Sequence, residues 1–277
     1  MAGSSPAMTN TERIKSMTDK MLSRKEGGIG YVIFNNPERH NAVSMEMWAA
    51  TRTILDQFRD DADVRAVVLT GAGGKAFVSG ADISKFGAER SNEEAVAKYN
   101  ATTEQAFSGV HDFPKPTIAM IRGYCIGGGM ALATCCDIRI ATPGSKFGIP
   151  AAKLGLGYDH KGVRRLMNVV GPSFAKEIFF TARQFDAEEA RMMGFVNRVV
   201  PDEELESYVK DYGSMIAANA PLTIGAAKHT ISELLKDEPE RDIDSVVAAV
   251  NRCFGSKDYI EGRTAFMEKR KPVFRGV

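Results

Sequence analysis

No run in this chain of 277 residues approaches the roughly 20 consecutive apolar residues that a membrane-spanning helix requires. Met1 to Lys20 also lacks the hydrophobic stretch of a signal peptide. The reading is a cytoplasmic protein with residues 1–20 disordered or vector-derived. Charge of one sign is missing too: 36 Lys and Arg against 35 Asp and Glu leave a formal charge of +1. No global field therefore gathers nucleic acid or an anionic membrane, and neither is expected as a partner. Any anionic ligand must be held locally. Cysteines are few, and Cys125, Cys135, Cys136 and Cys253 include no C-x-x-C spacing. Buried thiols are expected rather than a zinc site or a disulfide framework. The four histidines show no paired ligand spacing, so no metal is expected. No Gly-x-Ser-x-Gly elbow offers a serine nucleophile.

What is present is ordinary globular material, 44% hydrophobic and 26% charged, with 26 Gly and 11 Pro. Tyr31 to Phe34, Ala66 to Thr70, Thr117 to Ile121 and Asp137 to Ala141 are short apolar runs closed by turn residues and read as strands. Ser44 is a plausible N-cap for a helix carrying Met47, Thr51, Ile54, Leu55 and Phe58, and Met130 to Cys136 reads as a short helix. Strands alternating with helices indicate an α/β fold with parallel pairing. From about Pro172 strand signals nearly vanish, and helices are expected over Phe174 to Thr181, Ala187 to Met193, Glu203 to Asn219, Thr223 to Leu235 and Ile243 to Phe254. The charged segment ending at Pro272, taken alone, reads as a solvated tail.

Two strands feed glycine-bearing turns, Ala66 to Thr70 leading towards Gly80-Ala81 and Thr117 to Ile121 towards Gly127-Gly128-Gly129. Glycines before a helix let backbone approach a ligand and leave the first N–H groups unpaired. Without Gly-Lys-Ser/Thr, a triphosphate cradle is not indicated, and Gly127-x-Gly129-x-x-Leu132 misses the third glycine of a dinucleotide fingerprint. A tight packing turn and an oxyanion hole built from two backbone N–H groups remain. Each such donor can contribute roughly 3 to 4 kcal/mol to a developing oxyanion.

Asn41-Ala42, Phe77-x-x-Gly80-Ala81-Asp82-Ile83, Pro114-Lys115-Pro116, Gly123-x-x-x-Gly127-Gly128-Gly129, Cys136-Asp137, Phe147-Gly148 and Phe266-x-x-Lys269-Arg270-Lys271-Pro272 occur in this order. Together they resemble the crotonase (enoyl-CoA hydratase/isomerase) superfamily from about Tyr31 to the C-terminus. The resemblance implies a spiral of ββα repeats over residues 21–210 and a helical C-terminal trimerisation region over 211–277. It also implies a homotrimer or dimer of trimers that takes an acyl-CoA thioester as substrate. Coenzyme A enters as part of that substrate, and no separate cofactor is expected. By position, Ala81 and Gly128 would hold the thioester oxygen through their N–H groups. Ala42, Asp82 and Ile83 would line the coenzyme A, and Arg39 stands where the family often places a lysine one residue earlier, at Glu38. Phe266 and Lys269, from the same or a neighbouring subunit, would meet the nucleotide end.

Standard hydratases place two glutamates around a reacting water. Those positions are Ala131 and Ala151 here, and no glutamate occurs between Glu104 and Glu177. The polar candidates left are Tyr158 and Asp159. Asp159 alone would be read as a helix cap, yet Tyr158 falls where methylmalonyl-CoA decarboxylases carry a tyrosine and Asp159 where dienoyl-CoA isomerases carry an aspartate. Decarboxylation of a small malonyl-type thioester is the favoured expectation, because loss of carbon dioxide leaves an enolate that needs an oxyanion hole but no base. Isomerisation or an unusual hydration through Asp159, and a catalytically silent acyl-CoA binder, are the alternatives.

Overall fold

Short apolar runs interrupted by glycine turns produce two stacked parallel sheets. The computed structural model describes residues 18–277 apart from 86 and 88–90, and of Ile83 only the backbone. Most of the segment expected to be disordered, residues 1–17, lies outside the described residues. The strands are β1 (Met21–Glu26), β2 (Ile29–Phe34), β3 (Ala66–Gly71), β4 (Ala76–Val78), β5 (Thr117–Ile121), β6 (Tyr124–Ile126), β7 (Ile138–Ala141), β8 (Lys146–Gly148) and β9 (Arg198–Val199). The larger sheet has the order β1-β2-β3-β5-β7-β9 and the smaller one β4-β6-β8. Among the described strands, the β1–β2 pair alone is antiparallel and all other pairings are parallel.

Each repeat sends one strand into the large sheet, the next into the small sheet, and then a helix. The helix Glu93–His111 follows β4, Gly128–Cys135 follows β6, and Ala151–Leu154 and His160–Thr181 follow β8. This is the ββα spiral that the resemblance implies, closed by the C-terminal helices Leu205–Ala217, Pro221–Leu234, Ile243–Phe254 and Lys257–Met267. Because β4 pairs in parallel with β6, the turns after them leave the same edge of the small sheet. Such edges are where α/β folds bind ligands.

Alternation along the strands divides the core. Val67, Leu69, Ala119 and Ile121 face a cluster with Trp48, Phe77 and Phe113. Val68, Ile118, Met120 and Ile140 face Leu205 and Val209 on the opposite side. A sheet buried on both faces needs apolar residues at successive positions, which is why these strands read as continuous runs.

Several elements differ from the sequence expectation. The glycine turns are not fed directly by β3 and β5, because β4 and β6 intervene; at three residues each they carry no readable alternation. β1 precedes the first expected strand, and β9 adds a parallel strand within the stretch read as helical. The helix expected to begin at Phe174 is continuous with His160–Thr181, broken only where Gly171 adopts φ 74° before Pro172. Beyond Met267 the tail folds back: Asp258 accepts from the N–H groups of Arg275 and Gly276, and Glu261 pairs with Arg270. The tail is therefore tied to the last helix rather than free in solvent.

Cys125, Cys135 and Cys136 are buried, and Cys253 is partly exposed. Burial pushes the Cys135 thiol up to about 12 and raises Cys125 and Cys136 as well. Since the thiolate is the reactive form, a disulfide-exchange reagent at pH 8 is expected to titrate one thiol per native chain, and all four after denaturation. Rapid reaction of two or more native thiols would contradict this packing.

Candidate active site

The Gly80-Ala81 turn is clamped from behind. Val43 donates to Gly80 O at 2.9 Å and accepts from Asp82 N at 3.0 Å, forming a parallel bridge opposite Ala81. In such a bridge the flanking residues carry the hydrogen bonds, so the N–H of Ala81 itself points to the other side. There lies the start of the helix Gly128–Cys135. Gly127 caps it with φ 55° and ψ −117°, without a side-chain cap, and its own N–H donates to Gly148 O at 2.8 Å. Gly128 is therefore a first-turn residue whose N–H has no intrahelical acceptor. Among the described residues, neither Ala81 N–H nor Gly128 N–H donates to a backbone carbonyl. A methyl placed on Gly128 would stand 3.9 Å from Ala81 N, and one on Gly80 would stand 3.9 Å from Gly128 N. Two unengaged amides thus share one small space.

That space opens into a cavity of about 390 Å³. Trp48 and Phe107, in edge-to-face contact, line it together with an apolar wall of Ile149, Pro150, Leu154 and Leu156. Ala131 and Ala151 both line it, presenting methyl groups rather than ionisable side chains. Tyr158 and Asp159 line it as well. The Tyr158 ring packs edge-on against Phe179, with centroids 5.1 Å apart. Asp159 Oδ1 accepts from Gly162 N at 2.9 Å and caps the helix His160–Thr181. The capping role read from the sequence is realised, and the same residue borders the cavity.

Arg39, Ala42 and Asp82 gather beside the Ala81 turn. Arg39 donates to Asp82 Oδ1 at 3.3 Å and to Ser84 Oγ at 2.6 Å. Hydrogen bonding from the Ser84 hydroxyl, aided by the Ser84 amide and the Arg39 charge, outweighs burial and holds the Asp82 carboxyl below its ordinary range. Ala42 O accepts from Asn36 Nδ2 at 2.8 Å, and Ile83 starts the short 3₁₀ turn Ile83–Lys85. Phe266 and Lys269 are not brought to this cavity within one chain. Phe266 is 82% exposed and borders a separate apolar groove with Ile231, Phe254 and Tyr259 among the C-terminal helices.

Two cavity residues lack a sequence signal. Trp48 is fully buried, and its Nε1 is a donor without a partner among the described residues. Glu104 borders the cavity from the helix Glu93–His111, with both carboxylate oxygens accepting from Arg165 at 2.7 and 3.0 Å. Nothing in the sequence pairs two residues separated by 61 positions, and Glu104 sits among small and polar neighbours without a motif.

Residues 24–277 match the family model described as enoyl-CoA hydratase/isomerase. The chain is 35% identical over 257 residues to a short-chain-enoyl-CoA hydratase of Clostridium acetobutylicum, covering 91% of this chain and 96% of that protein. It is 34% identical to a carnitinyl-CoA dehydratase of Escherichia coli, over 94% of this chain and all of that one. A crystal structure of an enoyl-CoA hydratase/carnithine racemase from Magnetospirillum magneticum superposes with a TM-score of 0.90 at 37% identity, covering 95% and 97% of the two chains.

Proposed function

The chain belongs to the enoyl-CoA hydratase/isomerase family, and from that premise we propose that it binds a small acyl-CoA thioester with the carbonyl oxygen between Ala81 N–H and Gly128 N–H, and acts by stabilising the thioester enolate. The observation that carries this reading is the pair of backbone amides without carbonyl acceptors, meeting at the mouth of the 390 Å³ cavity. Ala42, Asp82, Ile83 and Arg39 are the residues proposed to run along the coenzyme A. Phe266 and Lys269, remote from their own cavity, would reach the nucleotide end in a neighbouring subunit of a homotrimer or dimer of trimers.

Decarboxylation of a malonyl-type thioester is the reaction we favour. The bond from the α-carbon to the carboxylate breaks, its electron pair moves into the enolate whose oxygen the two amides hold, and neutral carbon dioxide leaves. No base is required, which suits a cavity with methyl groups at Ala131 and Ala151. The apolar wall solvates a carboxylate poorly and so favours its loss as a neutral gas. Tyr158, whose phenol is a hydrogen-bond donor, would orient the leaving carboxylate. Asp159 also borders the cavity, and on that observation stands the second reading, isomerisation or hydration of an enoyl thioester.

Incubation with methylmalonyl-CoA, a 3-enoyl-CoA and crotonyl-CoA, followed by mass, separates these readings. Carbon dioxide loss from the first, without hydration of the third, is expected. Hydration of crotonyl-CoA at a rate ordinary for an enzyme would overturn decarboxylation, and stoichiometric binding without turnover of any ester would mark a silent binder. Tyr158→Phe should lower the decarboxylation rate at least ~10-fold. If instead Asp159→Asn alone lowers turnover, the second reading gains.

A further inference from the structure

One charged group facing the acyl cavity has no part in the scheme above. Glu104 borders the cavity between Thr103 and Phe107 and is about a quarter exposed, at 26%. Arg165, only 12% exposed, grips it with two N–H donors at 2.7 and 3.0 Å. A carboxylate offers about four lone-pair sites, and this fork occupies two while fixing the plane of the group. The others are left for a partner from the cavity. Arg165 lies on the helix that Asp159 caps, so the pair ties the wall bearing Glu104 to the wall bearing Tyr158. Stability alone does not account for it: a largely buried ion pair is often no better than an apolar pair of similar volume, and the surrounding helices offer apolar packing.

From this geometry we infer that Glu104 is the acid–base residue that exchanges a proton with the α-carbon of the bound thioester, with Arg165 as its positioning residue. The inference rests on the enolate reading. However the enolate forms, its α-carbon must gain a proton: a new C–H bond takes the enolate electron pair, the O–H bond of the Glu104 carboxyl breaks, and the carboxylate returns to Arg165. Glu104 recovers a proton from solvent at its exposed edge. By microscopic reversibility the same group removes an α-proton from a saturated ester, and the electron pair passes to the oxygen held by Ala81 and Gly128. Asp159 borders the same cavity, but among the described residues its carboxylate is held at one oxygen only, by Gly162 N–H, without the two-point orientation that Arg165 gives Glu104.

Propionyl-CoA isolates this step, since it has neither carbon dioxide to lose nor a double bond to hydrate. In D2O the wild-type protein should incorporate deuterium at the α-carbon, read by mass. Glu104→Gln should exchange at least ~100-fold more slowly while still binding propionyl-CoA by calorimetry. Arg165→Gln should slow the exchange at least ~10-fold with propionyl-CoA affinity unchanged, and Arg165→Lys should recover part of the loss by restoring the cation without the planar fork. A merely structural pair would leave the exchange rate per folded molecule unchanged and show no such partial rescue. Equal exchange by wild type and a folded Glu104→Gln would overturn the inference and leave the enolate reading standing. Absence of exchange by wild type with propionyl-CoA bound would overturn both. Should the Gln variant not fold, Glu104→Asp withdraws the carboxylate by one methylene, and undiminished exchange in it overturns the inference equally.

Discussion

Gly129→Ala is expected to lower kcat by about 10³, near the upper range for loss of an oxyanion-hole donor. A Cβ at this position would stand 2.0 Å from Val78 O, 2.8 Å from Val78 C and 2.9 Å from Val78 Cβ. Two of these are backbone atoms of β4, so no rotamer change relieves the clash, and either the strand or the helix start must retreat. Ala81 follows Val78 by three residues and Gly128 immediately precedes Gly129, so whichever side yields carries one amide away from the other. Overpacking of this kind also costs about 1–3 kcal/mol of stability, which corresponds to a fall in Tm of roughly 2–4 °C per kcal/mol for a chain of this size. Gly144→Ala is the control, since a Cβ there meets nothing within 4 Å, and its rate should match wild type. Wild-type kcat/KM in Gly129→Ala would mean that the two amides do not act together.

Arg139→Met is expected to destabilise the fold by about 3–5 kcal/mol, because it strands several buried carbonyl oxygens without a donor. Arg139 lies on β7 and is 5% exposed. It donates to Phe195 O at 2.5 Å, Cys136 O at 2.5 Å and Ala133 O at 3.2 Å. Its charge is met by carbonyl dipoles, two of them at the C-terminal end of the helix that begins at Gly128, where a cation complements the helix dipole. Burial pushes its pKa down. Methionine fills similar space but leaves those carbonyls without a donor, each costing about 1–3 kcal/mol when buried. A thermal melt should show a Tm lowered by roughly 10 °C. Arg139→Lys should rescue little, because a single ammonium cannot reproduce the planar fork. A loss below about 1 kcal/mol would show that water or main-chain adjustment replaces the guanidinium. The site depends on this residue at one remove: Arg139 anchors the far end of the helix whose first turn presents Gly128.

Local signals carried the reading furthest where a few neighbouring residues decide the outcome. Ser44 accepts from Met47 N at the start of Met45–Asp60, and Asp159 accepts from Gly162 N, both as helix-capping chemistry predicts. The Gly80 and Gly127 turns carry positive φ of 114° and 55°, a region that glycine enters without a Cβ penalty. By contrast, β4, β6 and β8 were illegible, because three residues show no period and their partners are other short strands brought together only by the spiral. The Glu104–Arg165 pair was hidden for a related reason: an ion pair across 61 residues leaves no spacing in the chain.

The sequence by itself determined the family resemblance, the glycine turns, the caps and the methyl groups at Ala131 and Ala151, since each depends on residue identity within a short window. Only the tertiary structure decided that the Ala81 and Gly128 amides share one space, that Glu104 borders the same cavity and that Phe266 does not reach it within its own chain. Those are distances between segments far apart along the backbone, set by how parallel strands stack and how helices cross, and no local pattern of side chains encodes them.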